Sequence, residues 1–358
     1  VTQTDISKIP FFFILGRHRS GTTLLRTLLD AHPNVIIPLE TPFIFTLYPK
    51  YRNIKNWNKS RLQELYNDLN TYINFDYLQI NKEKLYAELM LCTGGNSFQN
   101  FVKLIYSNYT SVYKKDEIRI FGDKNPLYAI YPSELFSIFP EAKYIFLTRD
   151  YRDQIISIKK IDFEAHRTAL LAYKWRLAVK NNLRLARKHP DQFFHIRYED
   201  LVSDPTMYMN KICDFLGLEY FPEVLDFYQK KDKMIELYTE EDLDKYHSSL
   251  YNPIKTDKTG LWETKLTKNQ IKMADFVVGK YASLVGYQRK FAKFDFLIFI
   301  LTLPFVTFGF VSYKISQLIY ILPFPLKKHI IKYAPLLPRL RKLFKWYETK
   351  PDKKLKDQ

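Results

Sequence analysis

Cysteine is nearly absent from this chain: two of 358 residues, Cys92 and Cys213. Two thiols that far apart build neither a disulfide framework nor a Cys/His zinc site, so two buried free thiols are expected and no metal site is. Glycine is scarce, at ten residues, and no stretch reads as low-complexity sequence or as a flexible linker. No internal repeat is visible, which excludes a solenoid or propeller. Residues 1–16 carry only a short apolar run without a basic leader, so no secretory signal is expected there. Acidic residues are the minority charge, 38 Asp/Glu against 55 Lys/Arg, for a net charge of +17.

Hydrophobic residues make up 46% of the chain, enough for a large core. The length suits one large domain with an appendage, taken as 1–290 and 291–358. Short apolar runs, each followed by a polar turn and a helical pattern, predict an α/β fold with a central, mostly parallel sheet flanked by helices. The predicted strands are Phe11–Leu15, Ile118–Phe121, Tyr144–Thr148 and Phe193–Ile196. Helices are predicted over Leu62–Leu69, Lys82–Leu91, 164–189, and from Asp204-Pro205 to about Gly217. The aromatic-rich stretch 41–117 reads as a helical insertion covering an acceptor site. In open α/β sheets, ligands sit beyond the carboxyl ends of the strands, and each predicted strand here ends in reactive side chains.

The first strand runs directly into Gly16-Arg17-His18-Arg19-Ser20-Gly21-Thr22-Thr23. The Gly-x4-Gly frame between strand and helix is that of a loop whose backbone N–H groups cradle a phosphate. Thr22 stands where a nucleotide triphosphatase needs Lys, which argues against a kinase or ATPase. Arg19 supplies a cation from within the loop.

Arg19-Ser20-Gly21-Thr22-Thr23-Leu24-Leu25, continued through Leu29-Asp30-Ala31-His32-Pro33 to Glu40-Thr41, resembles the opening of the sulfotransferases that use 3′-phosphoadenosine-5′-phosphosulfate (PAPS). The pattern is similar to the tyrosylprotein sulfotransferase branch and related bacterial enzymes, and it extends over about Pro10 to Tyr287. The resemblance implies that Arg19, Ser20, Gly21, Thr22 and Thr23 hold the 5′-phosphosulfate. It implies that Arg149 and Ser157, in Thr148-Arg149 through Ser157, hold the 3′-phosphate. Arg152 would be an ion-pair partner of Asp150 or Asp153. Glu40 falls at the position of the family's catalytic base, with His18 and His32 as rivals. Lys124, in Gly122-Asp123-Lys124-Asn125-Pro126, matches the Lys that stabilises the leaving phosphate, unless it only pairs with Asp123. Tyr198 falls beside the nucleotide. Lys255 and Lys258, ahead of Gly260-Leu261-Trp262, are equal candidates in a loop that closes over the donor. Transfer would yield 3′-phosphoadenosine-5′-phosphate (PAP) and needs no metal. Pro42 replaces the Arg of the tyrosylprotein enzymes, which speaks against acidic-peptide recognition.

The last segment differs in character. Phe296 to Tyr313 is 18 residues without a charge, interrupted by Pro304 and Gly309, and 291–358 as a whole carry 13 Lys/Arg against 4 Asp/Glu. Basic charge interleaved with apolar runs points to an anionic membrane surface rather than nucleic acid. An interfacial helical hairpin followed by a basic amphipathic helix over Leu326–Tyr347 is expected. Together these features predict sulfation of a hydroxyl on a lipid-like acceptor (sterol, lipid alcohol or glycolipid), with the enzyme cytoplasmic and peripheral or monotopic on the inner membrane face. The alternatives are a peptide tyrosine, a glycan or a small phenol as acceptor, or a non-catalytic nucleotide-binding membrane scaffold.

Overall fold

A computed structural model describes residues 3–41, 43–73, 75–161, 166–230, 248–322 and 326. Pro42 and all of 327–358, which include most of the expected basic helix, lie outside the described residues. The strands are β1 (Phe11–Leu15), β2 (Val35–Ile36), β3 (Asn56–Trp57), β4 (Gly94–Gly95), β5 (Ile120–Lys124), β6 (Lys143–Thr148) and β7 (Phe193–Arg197). The first helices are α1 (Gln3–Lys8), α2 (Thr22–Ala31), α3 (Phe43–Tyr51), α4 (Lys59–Tyr72), α5 (Lys82–Met90), α6 (Phe98–Ser107) and α7 (Pro132–Ile138). They are followed by α8 (Tyr151–Ile158), α9 (Thr168–Ala186), α10 (Tyr198–Ser203), α11 (Pro205–Leu216), α12 (Trp262–Lys265), α13 (Lys268–Val278) and α14 (Phe296–Ile321).

Five strands form one sheet in the order β2-β5-β1-β6-β7, all parallel. A parallel sheet covered on both faces needs continuous apolar strands, and β1 supplies one: Phe-Phe-Phe-Ile-Leu, buried at every position. The inner rings lock together, with Phe13 stacked on Phe11 and on Tyr144 at 4.9 and 5.7 Å and meeting Tyr128 edge-on at 5.6 Å. The chain leaves β1 toward β2 and β5 on one side and returns to β6 on the other. The strand order therefore reverses at the end of β1, where such sheets open a crevice.

β5 begins and ends later than the predicted Ile118–Phe121. Its pairing with β1 continues through Gly122, Asp123 and Lys124, in register with Phe12, Phe13 and Ile14. Local propensity argues against Gly-Asp-Lys in a strand; the neighbouring strand imposes it. Gly122 is required because a Cβ there would sit 2.3 Å from the Phe12 ring. The long basic helix is shorter than 164–189, running Thr168–Ala186 as α9, with 162–165 outside the described residues. α11 matches its signals, with Asp204 accepting the Met207 N–H at its start and Gly217 left-handed at its end.

Among the described residues the expected hairpin is not formed. α14 is a single helix that passes through Pro304 and Gly309. Pro304 removes one backbone hydrogen bond without ending the helix, and Gly309 is a close-packing point rather than a break: a Cβ there would lie 2.5 Å from Tyr173 of α9. Both cysteines are buried and free.

Candidate active site

β1, β5, β6 and β7 end side by side, so the residues that follow them meet at one edge of the sheet. The loop after β1 is held in place by glycine. Gly21 has φ +90°, and a Cβ on it would lie 2.3 Å from the Tyr198 ring. Gly16 is equally confined, since a Cβ there would be 2.4 Å from the Thr22 methyl. Arg19 also has a left-handed backbone, φ 64°, a costly conformation for a residue with a Cβ and one that clusters at ligand-binding loops. No side chain caps the start of α2, so its N-terminal dipole faces the loop.

The cations converge around this loop. Arg19 Nε donates to Ser157 Oγ at 2.9 Å, which joins the two phosphate regions that the sequence treats separately. Arg149 donates to the Arg19 carbonyl at 3.0 Å and to the Lys258 carbonyl at 2.5 Å. Its guanidinium lies 4.7 Å from the centre of the Tyr198 ring, a cation–π contact. The Arg149 backbone is fixed in turn by Trp175 of α9, whose indole N–H donates to its carbonyl at 2.9 Å. Lys258 binds its proton less tightly than usual because it is half-buried, with Asp257 opposing that shift and Arg19, Arg149 and Lys160 adding to it. Lys255 is exposed. Of the two rivals, the structure brings Lys258 to the cluster.

A second group lies at the end of β5. Lys124 is 2% exposed and forms an ion pair with Glu40, which is 36% exposed. Its ammonium also donates to Thr23 Oγ1 at 3.3 Å, so base candidate, cation and phosphate loop are in contact. Burial lowers the Lys124 pKa, with Glu40 opposing that shift and Arg26 adding to it. Asp123 is fully buried behind it. Its carboxylate accepts the Tyr128 hydroxyl at 2.5 Å and the Lys124 N–H at 2.6 Å. Burial still raises its pKa to about 7. The alternative pairing of Lys124 with Asp123 is thus a backbone contact, while the side chain goes to Glu40.

Of the two rivals of Glu40, His32 is engaged elsewhere. His32 sits at the end of α2, with Nε2 on the Glu219 carbonyl at 2.8 Å and Nδ1 accepting the Asn34 N–H at 3.1 Å. Burial lowers its pKa, and both ring nitrogens are engaged in structure. Arg152 pairs with Asp150, at 2.9 and 2.7 Å, and not with Asp153.

Two residues of α8 hold the surrounding loops, a role not expected of either from the sequence. Asp153 accepts the N–H groups of Gly260 and Trp262 at 2.7 and 2.9 Å, pinning the late loop over Arg149. Gln154 donates to the His18 carbonyl at 3.0 Å and to Ser20 Oγ at 2.5 Å, which orients the loop. Their signal was available: Asp150, Asp153, Gln154 and Ser157 recur at i, i+3, i+4 and i+7, a single helix face. Among the described residues no group of three or more His, Cys, Asp or Glu is arranged to hold a metal ion.

A family model described as "Sulfotransferase family" matches residues 10–223, more than half of the chain. The chain belongs to the sulfotransferase family. Protein-tyrosine sulfotransferase A of Caenorhabditis elegans is 26% identical over 278 residues, covering 75% of this chain and 65% of its own length. The protein-tyrosine sulfotransferase of Drosophila melanogaster is 25% identical over 293 residues, covering 78% of this chain and 52% of its own. The chain thus spans between half and two thirds of the length of these relatives. The sulfotransferase domain of the Synechococcus PCC 7002 olefin synthase matches with a TM-score of 0.52 at 22% identity, over 78% of this chain and 95% of that domain. That likeness is one of fold. In this family member, the matched segment takes in the loop, Glu40, Lys124, Arg149, Ser157 and Tyr198, and ends before the Lys258 loop.

Proposed function

We propose that this chain transfers the sulfuryl group of PAPS to an acceptor hydroxyl. The observation that carries the reading is the contact of Glu40, Lys124 and Thr23 at the mouth of the phosphate loop. A carboxylate and an ammonium held together there supply both charges that in-line transfer needs. The donor set fits a doubly phosphorylated nucleotide: Arg19, Arg149 and Lys258 converge, and the buried Arg149 Nε has no hydrogen-bond partner among the described residues. PAPS, when bound, supplies the activated sulfuryl group.

The chain's own residues divide the remaining work. The loop N–H groups, Ser20, Thr22 and Thr23 hold the 5′-phosphosulfate, and Arg149 with Ser157 holds the 3′-phosphate. Tyr198 packs beside the nucleotide. Glu40 accepts the proton of the attacking hydroxyl as the acceptor O–S bond forms. Lys124 donates to the 5′-phosphate oxygen released as the other S–O bond breaks, and PAP departs. Stabilisation of that developing charge is the larger electrostatic contribution.

For the acceptor, the names of the relatives favour a peptide tyrosine over the lipid-like hydroxyl suggested by composition. The lipid reading keeps one supporting observation, the long apolar α14. The deciding experiment supplies PAPS with tyrosine peptides, small phenols, glycans, sterols, lipid alcohols and glycolipids, and follows PAP release and sulfated product by mass spectrometry. A sulfated peptide absent with Glu40→Ala supports the tyrosine reading; a sulfated lipid absent with that variant supports the second. PAPS binding without product from any class would overturn the enzymatic reading.

A further inference from the structure

α14 is apolar around most of its circumference, with Lys314 its one charged residue, but packs on only one side. Its inner stripe includes Ile298 at 4% exposure and Thr302 at 1%, followed by Gly309 against Tyr173 and Leu170. Farther along, Tyr313 stacks on Tyr131 at 5.8 Å and accepts from Asn181 at 3.2 Å and from Gln317 at 2.9 Å, while Ser316 bonds the Tyr131 hydroxyl. These contacts follow i, i+4, i+7 spacing and clamp the helix to the globular domain over about 28 Å of its length. The outer stripe runs opposite, through Leu297, Ile300, Leu301, Phe308, Val311 and Leu318, all exposed, with Phe308 at 55% and Leu318 at 64%.

We propose that this outer stripe seats α14 flat in the interface of an anionic bilayer, as a monotopic anchor and not a span. The helix is long and apolar enough to cross a membrane. Crossing, however, would strip polar contacts such as Asn181 to Tyr313 and Tyr131 to Ser316 from the domain and leave them unsatisfied in hydrocarbon. Lying flat keeps every one of them and buries only the stripe that is bare. A helix that is hydrophobic around most of its circumference and half uncovered is otherwise a poor surface for a protein in water. Charge selects the occupant. Residues 291–358 carry 13 Lys/Arg against 4 Asp/Glu, which suits anionic headgroups and opposes a second copy bringing the same cations. Lys314 lies 5.9 Å from the Phe310 ring and Arg167 6.0 Å from that of Phe305, cations on apolar stems at the edge of the helix. The inference is independent of which acceptor is sulfated.

The test uses the full chain and vesicles of phosphatidylcholine with roughly one third phosphatidylglycerol, at low and high salt. Binding is expected, weaker at high salt. The paired change Phe308→Glu with Leu318→Glu should lower the partition coefficient at least about tenfold while leaving PAP binding and the thermal midpoint as in the parent. Spin labels at Leu297→Cys, Phe308→Cys and Leu318→Cys should all report similar, shallow depths; the native thiols are buried. Three results would overturn the proposal: no vesicle binding, a stable dimer in solution that the paired change dissociates, or labels at 297 and 318 near opposite headgroups with 308 at the midplane.

Discussion

Removing the charge of Glu40 separates its two roles. In the Glu40→Gln variant the side chain keeps its shape, but Lys124 remains 2% exposed without its partner. An unpaired buried charge left by breaking a fully buried pair costs about 3–5 kcal/mol. Glu40 is 36% exposed, so solvent already screens much of the attraction, and about 1–2 kcal/mol is the appropriate figure. Loss of the general base should lower turnover by about 10²–10⁴-fold. Urea unfolding measures the first effect and PAP release the second. Lys124→Met with Glu40→Gln completes a double-mutant cycle, and the pair should recover most of the stability lost in Glu40→Gln alone. Two results would refute the reasoning. Additive stabilities would mean that the ion pair contributes nothing, and undiminished turnover would mean that Glu40 is not the base.

Two further outcomes follow from the same region. Asp123 has a folded pKa of about 7, above its unfolded value. The native state therefore holds the extra proton between about pH 4 and 7, and stability declines through that window as pH rises, by on the order of 4 kcal/mol above it. Asp123→Asn should remove this slope from pH-dependent urea unfolding; parallel curves for parent and variant would contradict it. Gly21→Ala places a Cβ at φ +90° and 2.3 Å from the Tyr198 ring. A loss of roughly 1–3 kcal/mol in stability is expected, together with weakened PAP binding by thermal shift, and an unchanged PAP response would show that the loop tolerates the side chain.

Much of the site was legible because its residues follow strand ends or keep fixed spacing along one element. The apolar run Phe11–Leu15, the Gly-x4-Gly frame and the interval from Arg149 to Ser157 are local patterns, and a strand–loop–helix unit turns them directly into geometry. β5 was misplaced because Gly122, Asp123 and Lys124 are poor strand residues that pairing with β1 holds extended. The loop-holding contacts of Asp153 and Gln154 were not legible because their partners are Gly260 and Trp262 in one case and His18 and Ser20 in the other, more than a hundred residues away.

The α/β class, the parallel sheet and the glycine-held loop between β1 and α2 were legible from the sequence alone, since these depend on short-range periodicity, backbone freedom and helix capping. Only the tertiary structure decided which candidates meet. It set Lys124 against Glu40 and Thr23, moved His32 onto the Glu219 carbonyl, and brought Lys258 rather than Lys255 to Arg149. It also decided that α14 has one packed face and one bare one, because Gly309 admits Tyr173 of a helix more than a hundred residues earlier. The physical reason is common to all of these. Side-chain pairing and close packing depend on distances between segments far apart in the chain, and no local pattern encodes them.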